Sequence, residues 1–324
     1  MRPFSFDGKS KPAGPRPRLS FSDGRLRTPD GAPITLRGAS LFWSQWKPEF
    51  YNDSAVRTLA KSWKVDVVRV PIAAMAPGFL DDPTAELRKA EAVIDAAIDA
   101  GLYAIVDWHG HLPHTDFAVT FFDALAKRYS NHPNLIYETW NEPGSDFDWS
   151  TDIARHHERA AQAIRSHAPD APLILGIPNF CTAVECPIAA PIRLENVAYA
   201  FHFYAGSHRQ GLRDRLKAAL DSGLCMFVSE WGCGEASGDG VLDFTEARQW
   251  LRYLDNNCIS HVNWAISDKA EACAALRQGA KCTGPWYWWN LSPSGRFVRS
   301  YLRSARTRRR AGGRALKAGQ HIDA

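Results

Sequence analysis

A chain of 324 residues with 45% hydrophobic content can bury one large core, and barrels of this length commonly fold as a single domain. No stretch reaches the roughly 18 consecutive apolar residues of a membrane span, which excludes a helical membrane protein. The formal charge is +4, from 39 basic and 35 acidic residues, but seven basic residues and one acidic one lie from Arg303 onward; removing them leaves 32 against 34, a nearly neutral body.

The first twenty residues, with the Pro-rich "KSKPAGPRPR", are expected as a basic tail (1–20), ahead of a catalytic domain (21–303). The opening "MRPFSFDGKSKPAG" lacks the roughly 7 to 15 residue apolar segment of a conventional secretory leader. Strand-like runs then recur about every thirty residues: "ITLRGASLF", "VDVVRVPI", "LYAIVDWH", "NLIYETWNE", "PLILGIP", "VAYAFHFY", "CMFVSEWG" and "HVNWAISD". Helical segments separate most of them. In "DDPTAELRKAEAVIDAAIDAG", Asp82 reads as the N-cap, Pro83 as the first-turn residue and Gly101 as the stop, with Leu87, Ala90, Ile94, Ala97 and Ile98 forming one apolar stripe. Similar helices are expected in "DFAVTFFDALAKRYS", "TDIARHHERAAQAIRSHA", "LRDRLKAALDSG" and "DFTEARQWLRYLDNN", while "NFCTAVECPIAAPIRLEN" reads as irregular. Residues 304–324 are expected as a solvated basic tail; no recognised nucleic-acid module accompanies them, so no nucleic-acid partner is expected.

Eight near-continuous apolar strands alternating with helices argue for a parallel sheet closed into a (β/α)8 TIM barrel, a single α/β domain. In that fold the functional residues sit at the C-terminal strand ends. Those ends carry Arg69, His109, Asn141 with Glu142, His202 with Tyr204, Glu230, and Trp264 with Asp268. Pro143 stops the fourth run and places Glu142 at a strand end; "CMFVSEWGCG" repeats the arrangement for Glu230. Two carboxyls facing one another suit glycoside hydrolysis, with one proton donor and one anion. Arg69 near Glu230 would favour its charged form, while burial and the neighbouring charge would hold a proton on Glu142. The alternative is two structural ion pairs.

The motifs "WNEP", "SEWG", "VVRV", "DWH", "HFY" and "NWAISDKAEACAAL" resemble glycoside hydrolase family 5, and the last of these with "LSPSGRFVR" resembles its bacterial endo-β-1,4-glucanase subfamily, over nearly the whole chain from "LRGASLFWSQW" to "FVRSYLR". The resemblance implies a retaining hydrolase of internal β-1,4 bonds in glucans, with Glu142 as acid/base and Glu230 as nucleophile. It implies that Asn141 bonds the sugar 2-hydroxyl, that Arg69 and Tyr204 orient Glu230, and that His109 and His202 line the cleaved sugar's subsite above a Trp264 floor. Trp46 and Lys269 match positions that bind the next sugar on the non-reducing side, with Glu271 beside them. Phe180 stands where the subfamily usually has a tryptophan, which puts leaving-group binding in question. A cis peptide between Trp264 and Ala265 is also implied. Flat indoles suit pyranose faces, and "CTGPWYWWN" after Lys281 is unusually aromatic, reading either as an extension of the cleft or as surface packing.

No cofactor or metal is expected. The rival reading takes His109 and His111, with His202 and Asp268, as ligands of a metal-dependent, amidohydrolase-like barrel enzyme. A further rival is a carbohydrate-binding protein without catalysis, and mannan or xyloglucan are alternative substrates. A β-glucan polysaccharide or oligosaccharide is the expected partner, a monomer the expected state, and an extracellular site of action follows from a polymeric substrate. Seven cysteines leave at least one unpaired within a chain; Cys225 and Cys233, about 25 Å apart along a strand at roughly 3.3 Å per residue, cannot bridge, whereas Cys181 with Cys186 and Cys273 with Cys282 each fall in one loop and could.

Overall fold

The computed structural model describes residues 16–319, with side chains through residue 307. Eight parallel strands close into one barrel: β1 (Arg37–Leu41), β2 (Val67–Ala73), β3 (Tyr103–His109), β4 (Leu135–Glu138), β5 (Leu173–Leu175), β6 (Val197–Tyr204), β7 (Met226–Gly232) and β8 (His261–Ile266). The ring closes where β8 pairs with β1, His261 opposite Arg37. Every residue of β2, β3 and β7 is buried, as expected of strands covered on both faces. Gly38 lets β1 and β2 approach, since a Cβ there would stand 2.2 Å from the Val67 carbonyl oxygen.

Helices follow the strands in turn: α1 (Asp53–Thr58), α2 (Pro83–Asp99), α3 (Thr115–Arg128), α4 (Ala154–Arg165), the short α5 (Glu185–Ala189), α6 (Gln210–Asp221), α7 (Phe244–Asn256) and α8 (Pro293–Gly319). The (β/α)8 architecture read from the sequence is therefore the fold. The signals around α2 act as expected: the Asp82 carboxylate accepts from Ala85 N at 2.9 Å, Pro83 opens the helix, and Gly101 follows it in the left-handed region. Ala90, Ile94 and Ala97 are buried against the barrel, with Leu87 and Ile98 packed at the margin. None of the described helices is long and apolar enough to cross a membrane.

An antiparallel hairpin (Ser20–Ser22 with Arg25–Arg27) covers the N-terminal end of the barrel, where Phe21 meets Phe227 edge-on and its N–H donates to Asn196 Oδ1. Several expectations are revised. Of the segment read as an N-terminal tail, residues 1–15 lie outside the described residues, while Leu19 is buried and Arg16 Nε donates to the Gly101 carbonyl. At the other end, α8 runs through the boundary placed at 303: Val298, Leu302 and Ala305 continue an apolar stripe that stays buried, and Arg306 pairs with Asp66 at 3.3 Å. The ladder of β4 ends at Glu138, four residues before Glu142, because the chain then leaves the strand to cross the mouth. The Asn141 and Glu142 N–H groups still donate to the carbonyls of Trp108 and Gly110.

All seven cysteines are free, so neither loop pairing forms. The Cys181 thiol points instead at the Asn141 carbonyl oxygen, 3.0 Å away, and Cys273 Sγ accepts from Gly234 N at 3.2 Å. Both partners belong to the packed floor of the mouth, which turns these sulfurs inward and away from Cys186 and Cys282.

Candidate active site

The C-terminal strand ends converge on Arg69, which is fully buried. Its guanidinium is shared among several acceptors: Nε donates to Glu138 Oε2 at 2.7 Å, Nη1 to Glu230 Oε2 at 2.9 Å, and Nη2 to Asn141 Oδ1 at 2.6 Å and Glu138 Oε1 at 3.2 Å, while Asp107 Oδ2 forms an ion pair with Nη2 at 3.0 Å. Burial alone would lower the Arg69 pKa, but the charges of Asp107, Glu138 and Glu230 outweigh it and hold the cation firmly. A buried cation needs such partners, and here it also fixes the carboxylates around it.

Glu230 has both oxygens occupied, Oε2 by Arg69 and Oε1 by the Tyr204 hydroxyl at 2.6 Å. Burial and the charge of Glu142 push its pKa up, against His202, Arg69 and Tyr204. Acceptance from a guanidinium and a phenol is nevertheless the geometry of an ionised carboxylate. Glu142 faces it from beyond β4, and its Oε1 lies 2.7 Å from His202 Nδ1. The ligating atoms of Glu142, His202 and Glu230 all fall within 4.8 Å of one another.

The electrostatics of Glu142 depart from the expectation that it holds its own proton. Burial favours the neutral acid, but the hydrogen bond and charge of His202 outweigh burial and lower its pKa. For His202 burial is the opposing influence, and the hydrogen bonds to Glu138 and Glu142 raise it to about 9. The raised pKa favours the cationic form of His202, whose Nδ1 faces Glu142. The opposite ring nitrogen lies 3.0 Å from Ser229 Oγ.

Trp264 forms one wall: its ring stacks with His109 (5.2 Å, 12°) and packs on Phe42, and the Trp264–Ala265 peptide is cis, as the resemblance implied. His109 Nδ1 shares a hydrogen with Asp107 Oδ2 at 2.7 Å. Phe180 is 48% exposed, on a turn where Asn179, Phe180 and Cys181 all have positive φ, and it meets His111 edge-on at 5.7 Å. His111, Glu142, Phe180, His202 and Tyr204 line a cavity of about 390 Å3. Lys269 lies over the Phe42 ring and donates to Glu271 Oε2 at 2.5 Å, which places this pair at the rim behind Trp264. Trp46 stands exposed on the turn after β1, its N–H donating to the Trp43 carbonyl at 3.1 Å.

The sequence reading missed Glu138, Asp107, Ser229 and Trp43. Trp43 packs edge-on against His109 at 4.0 Å and also meets His111, so it joins the wall. For Glu138 and Asp107 a signal was present: a carboxylate inside a continuous apolar strand must find a buried cation. The alternative metal set is not assembled. Asp268 is held by Lys47 at 2.5 Å, and His109 is committed to Asp107. Among the described residues, the one group with ligand spacing is Glu142, His202 and Glu230, whose facing atoms are already engaged by each other, Arg69 and Tyr204.

The sequence model of the family "Cellulase (glycosyl hydrolase family 5)" matches residues 28–270. "Endoglucanase Z" of Dickeya dadantii is 38% identical over 276 residues, covering 83% of this chain and 63% of its own length. "Endoglucanase" of Clostridium saccharobutylicum is 34% identical over 295 residues, covering 90% and 66%. "Cellulase CelDZ1" of Thermoanaerobacterium is 35% identical over 307 residues, covering 87% and 80%. Five curated relatives, those two endoglucanases among them, are matched over only 57–66% of their length. The catalytic domain of Thermobifida fusca endoglucanase Cel5A superposes with a TM-score of 0.84 at 32% identity, covering 88% of this chain and 97% of that one, and a variant of it with a single substitution has been solved in complex with cellotetraose.

Proposed function

Because this chain belongs to the glycosyl hydrolase family 5 cellulases, we propose that it is a retaining endo-β-1,4-glucanase, with Glu230 as nucleophile and Glu142 as acid/base. The observation that carries the mechanism is the carboxylate spacing: ligating oxygens of Glu142 and Glu230 lie within 4.8 Å. Retaining enzymes hold their carboxyls about 5–5.5 Å apart, whereas inverting ones need about 6.5–9.5 Å to admit a water between them. The related endoglucanases and the cellotetraose complex support a β-1,4-glucan as substrate.

A Glu230 oxygen attacks the anomeric carbon as the glycosidic C–O bond breaks, and the leaving oxygen takes a proton from Glu142. That proton is supplied by His202, whose Nδ1 is one hydrogen bond away. Glu142, now a carboxylate, removes a proton from water; the water oxygen attacks the anomeric carbon, the ester to Glu230 breaks, and the proton returns to the Glu142–His202 pair. Asn141, its Oδ1 held by Arg69, is left with its amide N–H groups for the sugar 2-hydroxyl. His109 and Trp264 bound the subsite of the cleaved sugar, Trp46, Lys269 and Glu271 extend it toward the non-reducing end, and Phe180 meets the leaving sugar. Hydrolysis of an external polymer gives the protein an extracellular site of action.

The test incubates the purified protein, Glu230→Ala and Glu142→Ala with carboxymethyl cellulose, mixed-linkage β-glucan and mannan, following reducing ends and the first-released anomer. Release of the β-anomer from glucans, with loss of at least about 10³-fold in both variants, is expected. Undiminished turnover by Glu230→Ala sinks the mechanism, and preference for mannan sinks the substrate assignment.

A further inference from the structure

The aromatic stretch before α8 does not extend the catalytic cleft. Trp286 is buried against Phe50 and Trp63, whereas Tyr287, Trp288 and Trp289 are 53%, 56% and 67% exposed. Tyr287 and Trp289 stack on one another (4.9 Å, 16°), making a flat ledge. Trp288 turns one way to cover the Arg296 guanidinium at 4.6 Å and borders a separate cavity of about 390 Å3 between α8 and the turn at Lys64. Lys64 precedes β2, so this cavity opens on the flank toward the strands' N-terminal ends, away from Glu142 and Glu230.

Its walls are cationic. Arg296, Arg299 and Arg303 line it from one side of α8, and no acidic side chain among the described residues lines it. None of the three meets a carboxylate among the described residues: Arg296 donates to the Trp288 carbonyl, and Arg299 and Arg303 to Ser62 Oγ and O. Arg299 Nε is buried with no hydrogen-bond partner, and burial together with the Arg303 charge lowers the Arg299 pKa. Arg306 also lines the cavity and pairs with Asp66, but the other three guanidiniums have no carboxylate partner among the described residues and Arg299 keeps a buried donor unpaired, an arrangement suited to an anion. The cavity volume falls within the range of small-ligand sites, about 300–1,000 Å3.

We infer that this flank is a second glycan-binding site, selective for an acidic polysaccharide bearing uronate carboxylates. The arginine fork matches a carboxylate bidentately, and the indole edge of Trp288 with the Tyr287–Trp289 ledge offers flat apolar surface to pyranose rings. Tyr287 and Trp289 are already closed on each other, which leaves no slot for a nucleic-acid base to enter. The site is independent of hydrolysis and anchors the protein to a mixed matrix while the barrel mouth works on another chain.

The test reads binding rather than turnover. The intact protein is run in native gels containing polygalacturonate, a neutral cellulose ether, or single-stranded DNA, beside Trp288→Ala, Arg299→Gln/Arg303→Gln and Arg299→Lys/Arg303→Lys. Wild type is expected to be retarded by polygalacturonate, with affinity falling about threefold to tenfold in Trp288→Ala and further in the glutamine pair. Melting temperature and the rate on a soluble aryl cellobioside are expected to stay unchanged in all three. No retardation by polygalacturonate, equal or stronger retardation by DNA, or full retention in the lysine pair or Trp288→Ala overturns the proposal, the last two by reducing it to general charge attraction.

Discussion

His202 Nδ1 and Glu142 Oε1 stand 2.7 Å apart, so the carboxylate proposed as acid/base is coupled to an imidazole from a strand remote in sequence. The consequence is a pH profile set by the pair. His202 is raised to about 9 by its carboxylate neighbours, so kcat/KM is expected to fall on the alkaline side near pH 9 as the imidazole loses its proton. In His202→Gln the cation that lowers Glu142 is gone, its carboxyl titrates alone, and the alkaline limb should move to lower pH along with a fall in kcat. A limb unmoved in the variant would show that His202 holds the site only sterically.

Arg69 is predicted to be irreplaceable by lysine. One guanidinium serves Glu138, Glu230, Asn141 and Asp107 simultaneously, and an ammonium cannot span that fork. Arg69→Gln leaves buried carboxylates without their cation and should cost about 3–5 kcal/mol of stability in denaturant melts. Arg69→Lys should fold more nearly as wild type, yet lose most of kcat because Glu230 loses its fixed orientation. Wild-type kcat in the lysine variant would refute this.

How much of this site could be read from the chain follows a physical divide. The strand runs, the α2 caps and the polar strand ends are local signals, and they are enough to place Glu142, Glu230, Arg69, His202 and Tyr204 at one mouth. What remained hidden was relational. Glu138 and Asp107 sit in apolar strands, and only the closed barrel reveals that Arg69 answers both. The raised pKa of His202 and the lowered one of Glu142 depend on a hydrogen bond between strand ends, which no spacing encodes. The cysteine pairings failed for the same reason: proximity in sequence did not predict that Cys181 and Cys273 turn toward the core. The reach of α8 was visible in Val298, Leu302 and Ala305, but the arginines interleaved with them dominated the composition.

Thiol titration should reproduce the all-free state. Denatured protein is expected to react at seven sulfurs without prior reduction, and native protein rapidly at the exposed Cys258. Cys181, Cys233 and Cys273 are buried, and burial raises their pKa values, to about 12 for Cys273, so they should react on unfolding. Fewer than seven reactive thiols in unreduced, denatured protein would indicate a disulfide.

Acid should destabilise the fold through three buried histidines. Burial is the main cause that lowers His156 to about 4 and His157 and His261 to about 3, so all are neutral in the native barrel at neutral pH. Unfolded histidine binds its proton near pH 6.5, so below that pH the unfolded state holds more protons and stability falls, by up to about 1.4 kcal/mol per pH unit for each group. His202, raised in the native state, acts in the opposite window: its contribution is complete below about 6.5 and is lost as pH rises through about 9. Denaturant melts between pH 6.5 and 5 should show the slope, reduced by one proton in His157→Gln. A flat profile there would mean that these rings are charged in the native state.

Phe180 should act on leaving-sugar binding and not on bond cleavage itself. It is half-exposed beside His111 at the edge of the cavity that Glu142 and His202 line, and has no hydrogen-bonding link to either carboxylate. Loss of a stacking ring is worth about 0.5–1.5 kcal/mol beyond area, so Phe180→Ala should raise KM on cello-oligosaccharides about threefold to tenfold, with kcat on an aryl cellobioside unchanged. Phe180→Trp, in the same left-handed backbone, should lower KM, because the larger indole covers more of the pyranose face. If Phe180→Ala instead lowers kcat on both substrates equally, the turn Asn179–Cys181 is holding Glu142 in place, through the Cys181 thiol on the Asn141 carbonyl, and the ring is not a sugar platform.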